Sequence, residues 1–577
     1  MAWVQLGGAS IPVFIDKRFL SVALSALIAG SACAAPAPAQ KGPSVMVAAA
    51  EPDAVDAGLK VLRRGGSAVD AAVAIQAVLG LEEPQSSGLG GGSFMTFYDA
   101  KTHQVTAYNG RETAPAGATP DMFEADGKAM NKGVAIVGGR SAGVPGAVAM
   151  LYLAQSQHGK VPWSGLFEDA ERLADGGFKV PARMANAASS RAPQASQPDA
   201  VAYFTKPDGT KVQAGDTMKN AAYAATLRKI AAEGPKAILE GPIAEQIIAR
   251  LHQGPQPSTM TLKDLASYKP KATPAVCRPY RVYVVCVPPA PSGGPAVLEG
   301  LGILQRTDID KHPNNTQGWY LFSQASRLMY VDRDRYFGDP DFVSVPTEGL
   351  LDGAYLDSRA KLINPDKAGP PPTPGTPKGA GPRAPDRTKE PGGTTHFVIV
   401  DSFGNAVSMT TTVESIFGDG RMVGGFFLNN QLTDFSFMPK DGDGAPAADA
   451  VAGGKRPRSS MSPAIVLDKQ GHFVAGAGSP GGPSIIAFTL KVLVGVLDWK
   501  LPMQEAINLP NLIGFDNFYA SEPARYPAGV VDGLAAKGVA VRGGPFGEGS
   551  GEQGIEVTPN GLRGGADPRR EGVARGY

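Results

Sequence analysis

Residues 368–393 hold eight prolines and six glycines, and at Thr394 that texture stops, because Thr395-His396-Phe397-Val398-Ile399-Val400 is built from strand formers. This junction constrains the chain more than any other feature. An accessible, flexible tether meets an ordered element at one peptide bond, Gly393–Thr394. Cutting that bond would give Thr394 a free α-amine, whose ordinary pKa of about 8 lets it take the hydroxyl proton without help from a histidine. The same hydroxyl can first attack the Gly393 carbonyl in an N-to-O acyl shift, and Gly393 has no side chain to obstruct it. A threonine after a glycine is otherwise an ordinary strand start.

The remainder has to bury a large core. With 577 residues, 43% of them apolar, the chain exceeds the usual compact domain, so one big layered domain or two intimate halves is expected. Lys and Arg number 55 against 54 Asp and Glu, without a block of like charge, which argues against a nucleic-acid groove or an anionic membrane patch and favours small-molecule chemistry. Residues 52–66 read as a helix with a cationic last turn at Arg63-Arg64 and a glycine stop. Residues 68–81 are apolar nearly all round and should form a buried helix. A glycine-rich loop at 86–92 leads into a strand at 93–98; it lacks the GxxxxGK pattern of a phosphate cradle and reads as a tight backbone crossing. Residues 140–360 carry helical patterns, among them 221–232 and 318–333, with few clear strands; a strand-like stretch lies just upstream at 133–137. After Thr394 come four strand patterns, 395–400, 406–412, 462–467 and 472–477, then helices at 483–497 and 502–509.

Lys17-Arg18, an apolar run over 19–30 and Ala32-Cys33-Ala34 form the three regions of a signal peptide spanning 1–34, so export to the periplasm or the medium is expected. The run is too short to span a bilayer. Cys277 and Cys286 flank Arg278-Pro279-Tyr280-Arg281 between valine-rich runs and can face each other across a hairpin. Either a disulfide suited to an oxidising compartment or two buried thiols would follow. Metal chemistry has no support, since six histidines include no HExxH and three cysteines no CxxC; no cofactor is expected. Gly139-Arg140-Ser141-Ala142-Gly143 matches the GxSxG elbow of serine hydrolases, but Val144-Pro145-Gly146 follows where a helix should start.

Several ordered segments carry a resemblance: Thr394-Thr395-His396, Gly404-Asn405-Ala406-Val407, Phe427-Leu428-Asn429-Asn430-Gln431, Asp434-Phe435-Ser436, Lys455 to Pro463, Gly478-Ser479-Pro480-Gly481-Gly482, and upstream Gly65 to Ala72 and Gly110-Arg111-Glu112. In this order they resemble the gamma-glutamyltransferase family over nearly all of 45–577. The resemblance implies an α+β fold, the four-layer αββα sandwich of N-terminal-nucleophile hydrolases, built from a large subunit (35–393) and a small subunit (394–577) that pair as a heterodimer. It implies Thr394 as nucleophile, its amine as base, and Thr412 as the hydroxyl that contacts it and assists the cut at Gly393–Thr394. Gly481 and Gly482 would supply oxyanion N–H groups. Arg111, with Ser459 and Ser460, would grip the donor's α-carboxylate, and Asp434, with Gln431 and Glu414, its α-ammonium. Glutathione or another γ-glutamyl amide is the implied donor, and water or an amino acid the acceptor; an acylase for a glutaryl or other acyl amide is the rival on the same fold. Relatives with a substrate lid carry an aromatic between the Asp434 and Lys455 matches, whereas 438–454 here is rich in Asp, Gly and Ala, which implies a more open site.

Overall fold

The computed structural model describes residues 2–6, 9–13 and 42–577, apart from 387, 389, 391, 442, 517 and 545–548. The chain divides into two units at Gly42/Pro43. In the first, Ala2–Leu6 pairs antiparallel with Ala9–Val13; the apolar run and small-residue site of the expected signal peptide lie outside the described residues. Everything that follows concerns the second unit.

Thirteen strands of this unit make two sheets. In chain order they are β1 (Met46–Ala49), β2 (Gly92–Asp99), β3 (Gln104–Asn109), β4 (Lys271–Pro274), β5 (Val276–Tyr280), β6 (Tyr283–Val287), β7 (Thr394–Val400), β8 (Ala406–Thr412), β9 (Ala464–Leu467), β10 (Phe473–Gly478), β11 (Gln553–Thr558), β12 (Gly561–Ala566) and β13 (Val573–Gly576). One sheet runs β4-β3-β2-β8-β7-β1-β13 and the other β5-β6-β9-β10-β11-β12. All these pairings are antiparallel.

The period of two along each strand sorts side chains between layers. Val47, Phe397, Ile399, Val407 and Met409 enter one core with helices α1 (Pro52–Arg63) and α2 (Ala68–Glu82). Their neighbours Ala48, Val398, Val400 and Ala406 face the opposite way and meet Cys286, Ile465, Leu467 and Ile555 of the second sheet. On that sheet's far side Val285, Val287, Ala464, Val466 and Ala475 pack against α3 (Gly294–Leu304), α4 (Thr316–Tyr336) and α5 (Ile485–Leu497). Three apolar seams between four layers give the αββα sandwich.

Helix α2 is buried at every position, as its all-round apolar sequence requires. Two expectations change. Residues 133–137 lie in a short helix, Lys132–Ile136, started by the Asn131 side chain, which accepts from the Val134 N–H; a short apolar run does not distinguish strand from helix, and the cap decides. The middle of the chain also supplies three strands, β4 to β6. Cys277 and Cys286 stand opposite each other in the β5–β6 register and are joined as a disulfide. The GxSxG segment forms no elbow: Ser141 is buried in a 3₁₀ turn and its hydroxyl donates to the Ile136 carbonyl at 2.7 Å. The glycine loop is the expected backbone crossing, since a Cβ on Gly91 would lie 2.0 Å from the Thr412 carbonyl oxygen.

Candidate active site

Thr394 opens β7 and pairs directly with Thr412 at the end of β8. The eighteen-residue separation is therefore closed by a hairpin, and residues opposite one another point to the same face. By the alternation above, Thr394 shares the inter-sheet face with His396, Val398 and Val400. The Thr394 hydroxyl donates to Thr412 Oγ1 at 3.1 Å, and the Thr412 hydroxyl donates to the Gly393 carbonyl at 2.6 Å. A third bond fixes Thr412: the Glu414 N–H donates to its Oγ1 at 2.8 Å. Thus the hydroxyl that polarises the Gly393 carbonyl also draws on the proton of the neighbouring Thr394 hydroxyl. Gly393 must be glycine, because a Cβ there would sit 2.6 Å from the Ser415 carbonyl carbon and 2.7 Å from the Glu414 oxygen.

His396 is no base for this chemistry. Its Nδ1 pairs with Thr410 Oγ1 at 2.9 Å, and burial pushes its pKa down to about 3, so the ring is neutral at working pH. Arg570 has no role that the sequence reveals, yet its Nη1 donates to the Thr394 carbonyl at 2.9 Å. Burial first, then Arg183 nearby, pushes its pKa down to about 9.

Gly481 and Gly482 carry φ of +135° and +57°, a region that favours glycine. Their shared peptide approaches the cut segment: a Cβ on Gly392 would lie 3.9 Å from Gly481 C and Gly482 N. Gly392, Gly393, Gly481, Lys132, Glu390 and Arg570 help to line one cavity of about 640 Å³. Lys132 also lines a second cavity of about 640 Å³, bounded by Asp386, Thr388 and Phe437.

The head-group residues come together as a buried cluster. Arg111 Nη2 donates to Asp434 Oδ2 at 2.5 Å and to the Arg458 carbonyl at 2.6 Å, and its Nε to the Pro457 carbonyl at 3.2 Å. Gln431 Nε2 bridges two carboxylates, donating to Asp434 Oδ2 at 2.8 Å and to Glu414 Oε2. Asp434 Oδ1, Glu414 Oε1 and Gln431 Oε1 are buried acceptors with no hydrogen-bond partner among the described residues. Burial, followed by the Asp434 charge and a hydrogen bond with it, raises the Glu414 pKa well above the carboxylate range and so favours its protonated form. Lys132 donates to the Thr433 carbonyl and sits 4.9 Å over the Phe437 ring. Burial lowers its pKa against the pull of Asp434 and Glu414.

Ser459 and Ser460 diverge. Ser459 Oγ accepts from the Met461 N–H at 3.1 Å, a local turn, whereas Ser460 Oγ donates to Glu390 Oε2 at 2.6 Å and accepts from Arg333 Nη2 at 2.7 Å. Phe437 is stacked on Phe123, centroids 4.7 Å apart, in a small core of its own and so does not cover the cluster.

A family model described as gamma-glutamyltranspeptidase matches residues 54–577. The glutathione hydrolase proenzyme of Bacillus subtilis (strain 168) is 36% identical over 508 residues, covering 86% of this chain and 84% of its own. That of Escherichia coli (strain K12) is 35% identical over 606 aligned positions, covering 98% and 100%. A solved cephalosporin acylase from Bacillus halodurans superposes with a TM-score of 0.80 at 25% identity, over 94% of this chain and 98% of that one. With the matched region running through every element of the site, the chain belongs to the gamma-glutamyltranspeptidase family.

Proposed function

We propose that the chain is exported, cuts itself between Gly393 and Thr394, and then transfers a γ-glutamyl group from glutathione or a related amide to water or an amino acid. In the first reaction Thr394 Oγ adds to the Gly393 carbonyl carbon while Thr412 steadies the carbonyl oxygen. Collapse breaks the C–N bond, and the hydroxyl proton passes to the departing nitrogen, which becomes the free α-amine and leaves Gly393 as an ester on Thr394; water hydrolyses that ester, releasing the Gly393 carboxylate and restoring the Thr394 hydroxyl. In turnover the same oxygen attacks the donor's γ-carbonyl, the α-amine takes its proton and passes it to the leaving amine, and water or an acceptor amine resolves the ester. Gly481 and Gly482 would receive the oxyanion.

One observation carries the substrate reading: the unpartnered buried acceptors on Asp434 and Gln431, set beside the Glu414 carboxyl. An unpaired buried acceptor costs about 1–3 kcal/mol, and an ammonium brings three N–H donors and one positive charge to a shelf rich in carboxylates. An α-amino acid head therefore fits where a plain acyl chain would leave the acceptors orphaned. The rival acylase reading draws on the likeness to the cephalosporin acylase. Electrophoresis and kinetics decide between them. Wild type should run as two fragments and turn over γ-glutamyl-p-nitroanilide, Thr394→Ala should run as one uncut band, and Asp434→Ala should raise KM far more than it impairs cutting. A single uncut wild-type band overturns self-cleavage, and faster turnover of glutaryl-p-nitroanilide than of the γ-glutamyl donor overturns the head-group assignment.

A further inference from the structure

The Gly393–Thr394 bond is held in register on its downstream side by the β7–β8 ladder. The upstream side is proline- and glycine-rich tether, whose described residues make an isolated bridge, Ala384 with Ala447, and hydrogen bonds at Asp386 and Thr388. Nearer the bond it is held by a built site for a carboxylate. Glu390, three residues before Gly393, is buried, and its Oε1 accepts from Arg333 Nη2 at 2.6 Å and Arg458 Nη2 at 3.2 Å while Oε2 accepts from Ser460 Oγ at 2.6 Å. Arg333 and Arg458 are themselves buried, one on α4 and the other in the segment before β9. Asp386, also on the tether, forms a second ion pair with Arg458 at 3.1 Å.

We propose that Arg333, Arg458 and Ser460 form a carboxylate-binding site whose occupant in the uncut chain is Glu390, and that Glu390 is the positioning residue that registers the Gly393 carbonyl for self-cleavage. This rests on the self-cleavage proposed above. Three residues reach at most about 10 Å, so fixing the Glu390 carboxylate restricts Gly393 to a small volume beside Thr412. Glycines at 392 and 393 leave the backbone free to turn towards Thr394 but give it no stiffness of their own, which makes an upstream anchor necessary. The charges agree: among the described residues, the carboxylates in ion pairs with the two arginines are Glu390 and Asp386, both on the tether, and Asp334, at 3.0 Å from Arg333 and 3.7 Å from Arg458, in the body of the fold, with the Asp449 charge also acting on Arg458. Departure of the tether after the proposed cut would take two of these carboxylates away from two buried guanidiniums. Burial alone would raise the Glu390 pKa, but Arg333 and Arg458 overcome it and hold the group at about 2, ionised throughout the working range.

The test follows the rate at which the full-length chain becomes two fragments. Glu390→Ala should slow cutting by about ten- to a hundredfold, the range that misplacing a reacting group by an ångström produces. Added acetate should restore part of that rate, because a small carboxylate can re-enter the arginine pair, whereas chloride at equal ionic strength should not. Glu390→Gln, which keeps the shape without the charge, should be slow, and Glu390→Asp intermediate. Melting temperatures in a Thr394→Ala background report whether each variant folds. Cutting of Glu390→Ala or Glu390→Gln at the wild-type rate overturns the proposal, as does a slow Glu390→Ala that acetate leaves unchanged. A wild-type chain that never cuts removes self-cleavage itself and this proposal with it; a wild type that cuts beside an equally fast Glu390→Gln removes this proposal alone.

Discussion

Replacing Thr412 by valine keeps the side-chain volume and deletes one oxygen that makes three hydrogen bonds, to the Gly393 carbonyl, from Thr394 and from the Glu414 N–H. Two of these matter for stability, because the Gly393 carbonyl and the Glu414 N–H cannot turn away, while the Thr394 hydroxyl can rotate. At about 1–3 kcal/mol for each orphaned buried group, Thr412→Val should cost the uncut chain about 2–6 kcal/mol. The rate loss is separate. As Thr394 adds to the Gly393 carbonyl, the oxygen that accepts from Thr412 becomes an alkoxide, and losing one donor to such an oxygen typically costs about 10²- to 10³-fold. A time course by denaturing electrophoresis should therefore show Thr412→Val cutting at least about a hundredfold more slowly than wild type, with Thr412→Ser, which retains the oxygen, close to wild type. Cutting of the valine variant at the wild-type rate would falsify the reasoning. So would a serine variant as slow as the valine, since the methyl group rather than the hydroxyl would then be decisive.

Two further outcomes come from the buried carboxylates. Burial and the Asp434 charge favour the protonated form of Glu414, whereas an arriving ammonium favours its ionised form, so binding of L-glutamate near pH 7 should release up to about one proton. Calorimetry in two buffers of different ionisation enthalpy reads this, and Glu414→Gln should abolish it; release unchanged in the variant would place the proton elsewhere. Glu82, at the end of α2, is raised to about 9 by burial first and then by Asp53, and Glu51 to about 10 by burial and then Glu83. Between the ordinary carboxylate pKa of 4.5 and these values the folded chain binds more protons than the unfolded one, so stability falls as pH rises through that window. Thermal melts should show the melting temperature declining from about pH 5 to about pH 9, with a shallower decline in Glu82→Gln; equal slopes would refute the assignment.

How much of this was legible in the sequence depends on the kind of interaction. The strands after Thr394 lie within two residues of their expected limits, because β-branched runs bounded by Gly, Asn and Asp turns carry a local signal. Strand β4 was harder to see, being four residues long and ending at a proline, whereas the valine-rich runs around Cys277 and Cys286 had suggested the β5–β6 hairpin. In the site, Thr394, Thr412, Arg111, Gln431 and Asp434 could be named from ordered motifs. Their mutual arrangement could not, and in particular nothing in the spacing says that Arg111 lies against Asp434, 323 residues away. Glu390, Lys132 and Arg570 went unseen for the same reason. Each acts through contacts distant in sequence, and a single charged residue in a tether or a loop leaves no periodicity to read.

The order of strands in the sheets has one more consequence. Strands β7 and β8 lie between β1 and β2, so in that sheet strands from either side of Gly393–Thr394 alternate, while in the other β5 and β6 precede an unbroken block, β9 to β12. Thr394 and Thr412 meet within the β7–β8 hairpin, and β1 and β2 lock that hairpin from both sides. Under the proposed self-cleavage, the broken bond would be a permanent record that this hairpin once formed. It also runs time in one direction: a single chain can find this topology by intramolecular search, whereas two separated pieces would have to meet in solution first. The lifetime of the finished protein should therefore be governed by how slowly it opens rather than by how readily it re-forms.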